Sequence, residues 1–180
     1  MNYYDFFGLE HKLNLDPRDL EQRFYRLSRQ WHPDRFARAS EEQRRRSLDA
    51  AAILNDGYRT LRDPVLRAEY LLGENGFPIG EQKSNNVPPE LLEEVFELNM
   101  ALEELRSGDE EARPALQAAR QKFLALRDEI DRELESCFAD YDQSYDKVIL
   151  EMIRGILNRR KYIHNLVREA GKALDDAPPN

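Results

Sequence analysis

Apolar residues recur at helical spacing along almost the whole chain, and this periodicity limits the fold more than any other feature. Leu20, Phe24, Leu27 and Trp31 follow one another at four, three and four residues, giving one stripe on a helix of about 15 residues. Leu48, Ala51, Leu54 or Asn55, Tyr58 and Leu61 make a second stripe over residues 40–62. Further stripes follow in the second half: Leu91, Val95, Leu98, Leu102 and Leu105, then Leu116, Ala119, Phe123, Leu126, Ile130, Leu134 and Cys137, then Ile149, Met152, Ile156, Ile163, Leu166 and Ala170. Every long segment therefore has one face to bury, and the fold class is all-α.

The punctuation divides these helices into two groups. Residues 2–7 form a short helix closed by Gly8, which accepts the left-handed position after a helix end. Asp16-Pro17 and Asp63-Pro64 each pair a capping carboxylate with a proline at the first helical position, where the missing N–H costs nothing. Pro33 ends the first long helix by pushing its predecessor out of the α region. Residues 73–89 hold Gly73, Gly76, Gly80, Pro78, Pro88 and Pro89, and the polar stretch 81–86 has no periodicity. The expected organisation is an antiparallel helical hairpin with two short helices over residues 1–74, a linker over 75–88, and a three-helix bundle over 89–175. Ser107-Gly108 stops the first bundle helix, Pro114 sits near the start of the second, and the tail from Asp175 is expected to fray.

Charge follows the same division. Met1 to Leu72 carries 13 Lys and Arg against 12 Asp and Glu, whereas the remainder carries 14 against 23. Two halves of such different balance are built to meet different partners. The net charge of −8 argues against nucleic acid as the partner of the whole molecule. Arg44, Arg45 and Arg46 are flanked by Glu41, Glu42 and Asp49, which reads as a solvated face. No apolar run approaches the roughly 20 residues needed to cross a bilayer, and the first eight residues lack the basic start of a signal peptide. Cys137 is the single cysteine, so no intramolecular disulfide and no thiolate cluster can form. The expectation is a soluble, cytoplasmic chain with neither metal nor cofactor.

His32-Pro33-Asp34, between the two long helices of the first half, is the informative tripeptide. Read as an acid–base pair, His32 and Asp34 lack a third orienting group, and Pro33 makes their mutual hydrogen bond awkward. Read as a metal site, the turn lacks the three or four ligands required. At about 100° per residue, Arg18, Tyr25, Arg26 and Arg29 project opposite the Leu20–Trp31 stripe, a basic strip running towards the turn. Such a strip suits an acidic partner surface.

Tyr3-Tyr4, Phe7-Gly8-Leu9, the helix ending in Trp31, the tripeptide, the long partner helix with Tyr58 and Leu61, and Asp63-Pro64 stand in the order of the J-domain. The first 72 residues resemble that domain. The resemblance implies docking on an ATP-bound DnaK/HscA-type chaperone through His32, Pro33, Asp34, Arg18, Tyr25, Arg26, Arg29 and Arg35, so as to favour ATP hydrolysis. Arg38 extends the positive field. A J-domain supplies no chemistry of its own, so no enzyme is expected.

The second half decides the pathway. No Gly/Phe-rich tract or cysteine-rich repeat follows. Arg67-Ala68-Glu69-Tyr70-Leu71-Leu72, Gly76-Phe77 and an acidic helical bundle are instead similar to the HscB family. Members of that family hold an IscU-like iron–sulfur cluster scaffold protein, and the resemblance places this role on Leu92, Phe96, Glu97, Met100, Glu104 and Tyr162. The chain departs from the family pattern at Glu93 and Met100. The residues give independent support, because Leu92, Phe96 and Met100 recur every four on a line about 140° from the core stripe. Exposed apolar side chains in a line mark a partner site. A J-domain co-chaperone serving a different client through its acidic bundle is the alternative. Some HscB-like proteins carry a cysteine-based zinc module, and none is expected here.

Overall fold

The computed structural model describes residues 2–79 and 87–176. The polar stretch 81–86, read above as linker, and the last four residues lie outside the described residues. All regular structure among the described residues is helical: α1 (Tyr3–Phe7), α2 (Pro17–Trp31), a 3-10 turn (Pro33–Phe36), α3 (Glu41–Arg62), α4 (Pro64–Glu74), α5 (Leu92–Arg106), α6 (Arg113–Ser144) and α7 (Lys147–Asp176), with short 3-10 turns at Pro89–Leu91 and Glu110–Ala112. The chain divides into one compact unit of Met1–Pro78 with Phe138–Leu150, and a second of Ile79–Cys137 with Glu151–Asn180.

Local chemistry sets the ends of these helices. Asn2, Asp16 and Asp63 each accept a backbone N–H of the first turn that follows, and Pro17 and Pro64 open their helices. Ser40 and Gln43 form a reciprocal capping box on α3. Gly8 closes α1 with φ 67°, a conformation that favours a residue without Cβ.

In the first unit α2 runs antiparallel to α3. The Phe24 ring stacks on Tyr58 with centroids 4.3 Å apart, and seven residues later the Trp31 carbonyl accepts a hydrogen bond from Ser47 Oγ at 2.8 Å. The buried face of α3 is Ser47, Ala50, Leu54, Gly57 and Leu61. This corrects the expected stripe: Leu48 is exposed, Ala51 is half-buried, and Tyr58 flanks the seam. The reason is distance. α1 and α2 approach so closely that small side chains face them, and Ser47 spends its hydroxyl on a helix-end carbonyl.

Gly57 is the tightest of these contacts. A Cβ there would stand 2.9 Å from Phe7 Cε2 and 3.1 Å from Tyr3 Cδ1. Neither ring can yield easily, since Phe7 is buried and Tyr3 stacks on Tyr70 with centroids 4.6 Å apart. Alanine improves helix propensity by about 1 kcal/mol, while overpacking costs about 1–3 kcal/mol. Two aromatic contacts at once put the cost near the top of its range. Gly57→Ala is therefore expected to lower stability by about 1–2 kcal/mol, read as an earlier urea midpoint at unchanged slope. A midpoint at or above that of the parent contradicts this packing.

The loop between α1 and α2 is held from several sides. Tyr4 donates its hydroxyl to the Lys12 carbonyl at 2.9 Å, and burial pushes that phenol well above its ordinary pKa, so it remains a donor. The buried Arg67 donates from Nε to the Leu13 carbonyl at 2.7 Å and from Nη1 to the Leu61 carbonyl at 2.6 Å. Burial pulls the Arg67 pKa down, and Tyr4, Asp142 and Asp63 oppose that fall. Both Asp142 oxygens accept backbone N–H groups, from Leu13 and from Asn14, each at 2.7 Å. Charge-assisted bonds of this kind are among the stronger ones in proteins.

The second unit buries one face of each of its helices. On α5 this face is Val95, Leu98, Leu102 and Leu105, as the periodicity predicts, with Ala101 buried beside them. On α6, Leu116, Ala119, Phe123, Ile130, Leu134 and Cys137 are buried and Leu126 is half-buried. The α7 stripe needs one correction: Met152 is exposed, and Ile153 lines the seam with Ile156, Ile163, Leu166, Val167 and Ala170. Those positions keep a seven-residue repeat, which drifts around a 3.6-residue helix. The seam takes Ile153, one residue further on, and turns Met152 outward.

Candidate partner-binding surfaces

The first surface is built on the end of α2. His32 has the extended backbone that a following proline requires, with φ −62° and ψ 128°. Its Nδ1 accepts the Asp34 N–H at 3.3 Å, so the imidazole caps the 3-10 turn. The Arg35 N–H then closes the turn on the His32 carbonyl at 3.0 Å. Arg35 Nη1 reaches back to the Arg29 carbonyl at 3.1 Å, satisfying an orphan acceptor at the end of α2. Beneath the turn, Trp31 stacks on Phe36 with an interplanar angle of 13°, and Ser47 holds the Trp31 carbonyl.

A stiff turn is the result, and the Asp34 side chain on it is 90% exposed. The His32 ring lies beside it, with Nδ1 3.5 Å from Oδ2. Arg18, Tyr25, Arg26 and Arg29 all lie exposed on α2, and Arg35 and Arg38 are exposed after it. The eight residues picked out from the sequence thus occupy one outward-facing strip and the turn at its end. Sequence reasoning missed Ser47, because a serine inside a helix gives no sign that it caps a neighbouring one.

The second surface lies on α5. Leu92, Phe96 and Met100 are 56, 64 and 47% exposed, while Val95 and Leu98 between them are buried. Glu97 and Glu104 are exposed beside this line, and Glu97 pairs with Lys122 of α6 at 3.3 Å. Tyr162 is different. It is only 8% exposed, and burial raises its phenol pKa, so it supports the bundle more than it presents a face. Its position next to the seam residue Ile163 accounts for this. Lys122 had no signal in the sequence, since a pairing between two helices leaves no periodicity on either.

Among the described residues, no group of three or more His, Cys, Asp or Glu side chains is placed to hold a metal ion. No described helix is long and apolar enough to cross a membrane.

A helical hairpin whose turn presents His32-Pro33-Asp34, joined to a bundle of three helices, defines a J-domain protein. Comparison with known proteins narrows this class. Residues 87–171 match the family model described as the HSCB C-terminal oligomerisation domain. The co-chaperone protein HscB homolog of Vibrio vulnificus strain YJ016 is 39% identical over 150 residues, covering 82% of this chain and 87% of that protein. The homolog of Shewanella loihica is 31% identical over 175 residues, covering 97% of this chain and 98% of that protein. The solved structure of chaperone HscB from Vibrio cholerae superposes with a TM-score of 0.66 at 33% identity, covering 97% of this chain and 98% of that one. Human co-chaperone protein HscB shares the fold, with a TM-score of 0.66 at 22% identity over 96% of this chain and 81% of that one. The chain belongs to the HscB family of co-chaperones.

Proposed function

We propose that the chain is a two-sided adaptor in iron–sulfur cluster assembly. The turn and the exposed strip of α2 stimulate the ATPase of a DnaK/HscA-type chaperone, and the outer line of α5 delivers an IscU-like scaffold protein to it. The observation that carries the first half is the Asp34 carboxylate, exposed at a turn stiffened by Pro33, His32 and Arg35 and continuous with an arginine-rich face. An anion held in place before binding loses little entropy on docking, and the arginines beside it steer an acidic partner. The second half draws support from three large apolar side chains left outside a well-filled bundle.

In this reading the chain carries out no chemistry. It lowers the barrier to hydrolysis only by favouring one state of the chaperone, to the extent that it binds that state better. Tyr162 contributes by holding the helices behind the α5 surface, with its small exposed edge as the limit of any direct contact. The placement is cytoplasmic, beside its two partners, with neither nucleic acid nor membrane involved. Single-turnover ATP hydrolysis by the chaperone encoded in the same genome tests this function. Addition of the chain is expected to accelerate hydrolysis, and addition of the scaffold protein with it to accelerate hydrolysis further. A rate indifferent to both additions contradicts the proposal.

A further inference from the structure

The apolar line on α5 does not run straight along the helix. Each step of four residues turns it by about 40°, so that Leu92, Phe96 and Met100 slant across the outer face. The slant leads towards α6, because Met100 forms part of an open cleft of about 410 Å³ between the two helices. Ala101 and Ala119 are buried in its floor, and Ala115 and Ala118 are exposed along its α6 side. Alanines there leave room that larger residues would fill. The rim is charged: Glu97 and Glu104 stand on the α5 edge, and Lys122 reaches across from α6 to Glu97 at 3.3 Å. A second cleft of about 370 Å³, containing Leu91, Phe123 and Leu126, lies on the other side of the same lysine.

On its other flank α5 is tied to α7, where Arg106 pairs with Glu169 at 3.8 Å.

We propose that α6 supplies the second wall of the scaffold-binding surface. The cleft beside Met100 takes one large apolar side chain of the scaffold protein, and a neighbouring Lys or Arg of that protein displaces Lys122 from Glu97. This rests on the reading of α5 given above. Charge complementarity selects the occupant: an apolar cleft with carboxylates along one edge fits a segment that carries a cation next to its anchor. The Glu97–Lys122 pair is half-exposed at both ends, and exposed pairs are weakly held, so an incoming cation exchanges for it at little cost. In the free protein the same pair keeps a carboxylate beside an apolar cleft neutralised.

Calorimetric titration of the full chain with the purified scaffold protein tests this. Ala118→Trp fills the cleft from an exposed helix position and is expected to weaken binding at least tenfold, with helicity and melting temperature unchanged. Should that variant melt early, Ala118→Gln carries the same test. Lys122→Ala is expected to bind about threefold tighter at low salt, with the gain lost at high salt. Normal affinity of Ala118→Trp while Phe96→Ala binds weakly overturns the cleft and leaves the α5 reading standing. Normal affinity of both overturns that reading itself. Weaker binding by Lys122→Ala overturns the exchange of cations. A chain that is dimeric until Ala118→Trp makes it monomeric, with scaffold binding untouched, shows a second copy in the cleft and also overturns the proposal.

Discussion

Asp34→Asn is expected to leave the protein folded and to remove its stimulation of the chaperone's ATPase. The substitution keeps the shape of the side chain and deletes its charge. Nothing in the fold depends on that charge, since the side chain is 90% exposed and faces the His32 ring at 3.5 Å. The bond that shapes the turn uses the Asp34 backbone N–H, which the variant retains. Stability should stay within about 0.5 kcal/mol, as for other surface changes that break no cap or network. Docking is affected far more. Truncating one partner of a buried, hydrogen-bonded charge pair costs about 2–5 kcal/mol. At about 1.4 kcal/mol per factor of ten, this predicts at least a thirtyfold loss of stimulation at a fixed concentration of the chain. Circular dichroism and single-turnover ATP hydrolysis on one preparation check both halves. Unaltered stimulation removes the carboxylate from the docking account.

The second large effect is expected on the α5 surface. Leu92→Ala with Phe96→Ala should weaken scaffold binding by about a hundredfold and leave chaperone stimulation in the absence of scaffold unchanged. Both side chains are more than half exposed in the free chain, so their removal opens no cavity. Alanine suits a helix better than either residue, which keeps the melting temperature level or raises it slightly. At an interface an aromatic anchor is commonly worth about 2 kcal/mol and a leucine less. Together these give roughly 3 kcal/mol, or two powers of ten in affinity. Unchanged affinity for the scaffold shows that this line of side chains serves something else.

Much of the architecture was legible before any coordinates, for definite reasons. Asp16-Pro17 and Asp63-Pro64 announce helix starts because a carboxylate cap and a fixed φ act locally, without help from the rest of the fold. The outward strip of α2 was legible because 15 residues of clear periodicity leave one direction for Arg18, Tyr25, Arg26 and Arg29. On α5, the buried face and the Leu92–Phe96–Met100 line were separable for the same reason.

Illegible were the features that depend on how closely two helices approach. The α3 stripe holds at Leu54 and Leu61 but is off by one at Leu48, Ala51 and Tyr58, because the core face there is Ser47, Ala50 and Gly57, which score as polar or indifferent. Their smallness is the point: Gly57 admits the rings of Tyr3 and Phe7. Met152 was misplaced because, in a 30-residue helix, a small error in period accumulates into a wrong face. Tyr162 rests on the resemblance alone, with no periodicity argument beside it, and only 8% of it is exposed. The cleft between α5 and α6 could not be foreseen at all, since alanines spaced along α6 read as ordinary helix formers.

The central claim is that one chain must engage the chaperone and the scaffold at once. Two defective proteins test it directly: Asp34→Asn, impaired only towards the chaperone, and Leu92→Ala with Phe96→Ala, impaired only towards the scaffold. Each is added to chaperone and scaffold alone, and then both are added together, with scaffold-dependent ATP hydrolysis as the readout. Two working surfaces on separate molecules cannot bridge, so the mixture is predicted to remain as inactive as its components. Recovery of the parent rate by the mixture would contradict the adaptor account, because the surfaces would then act without being joined.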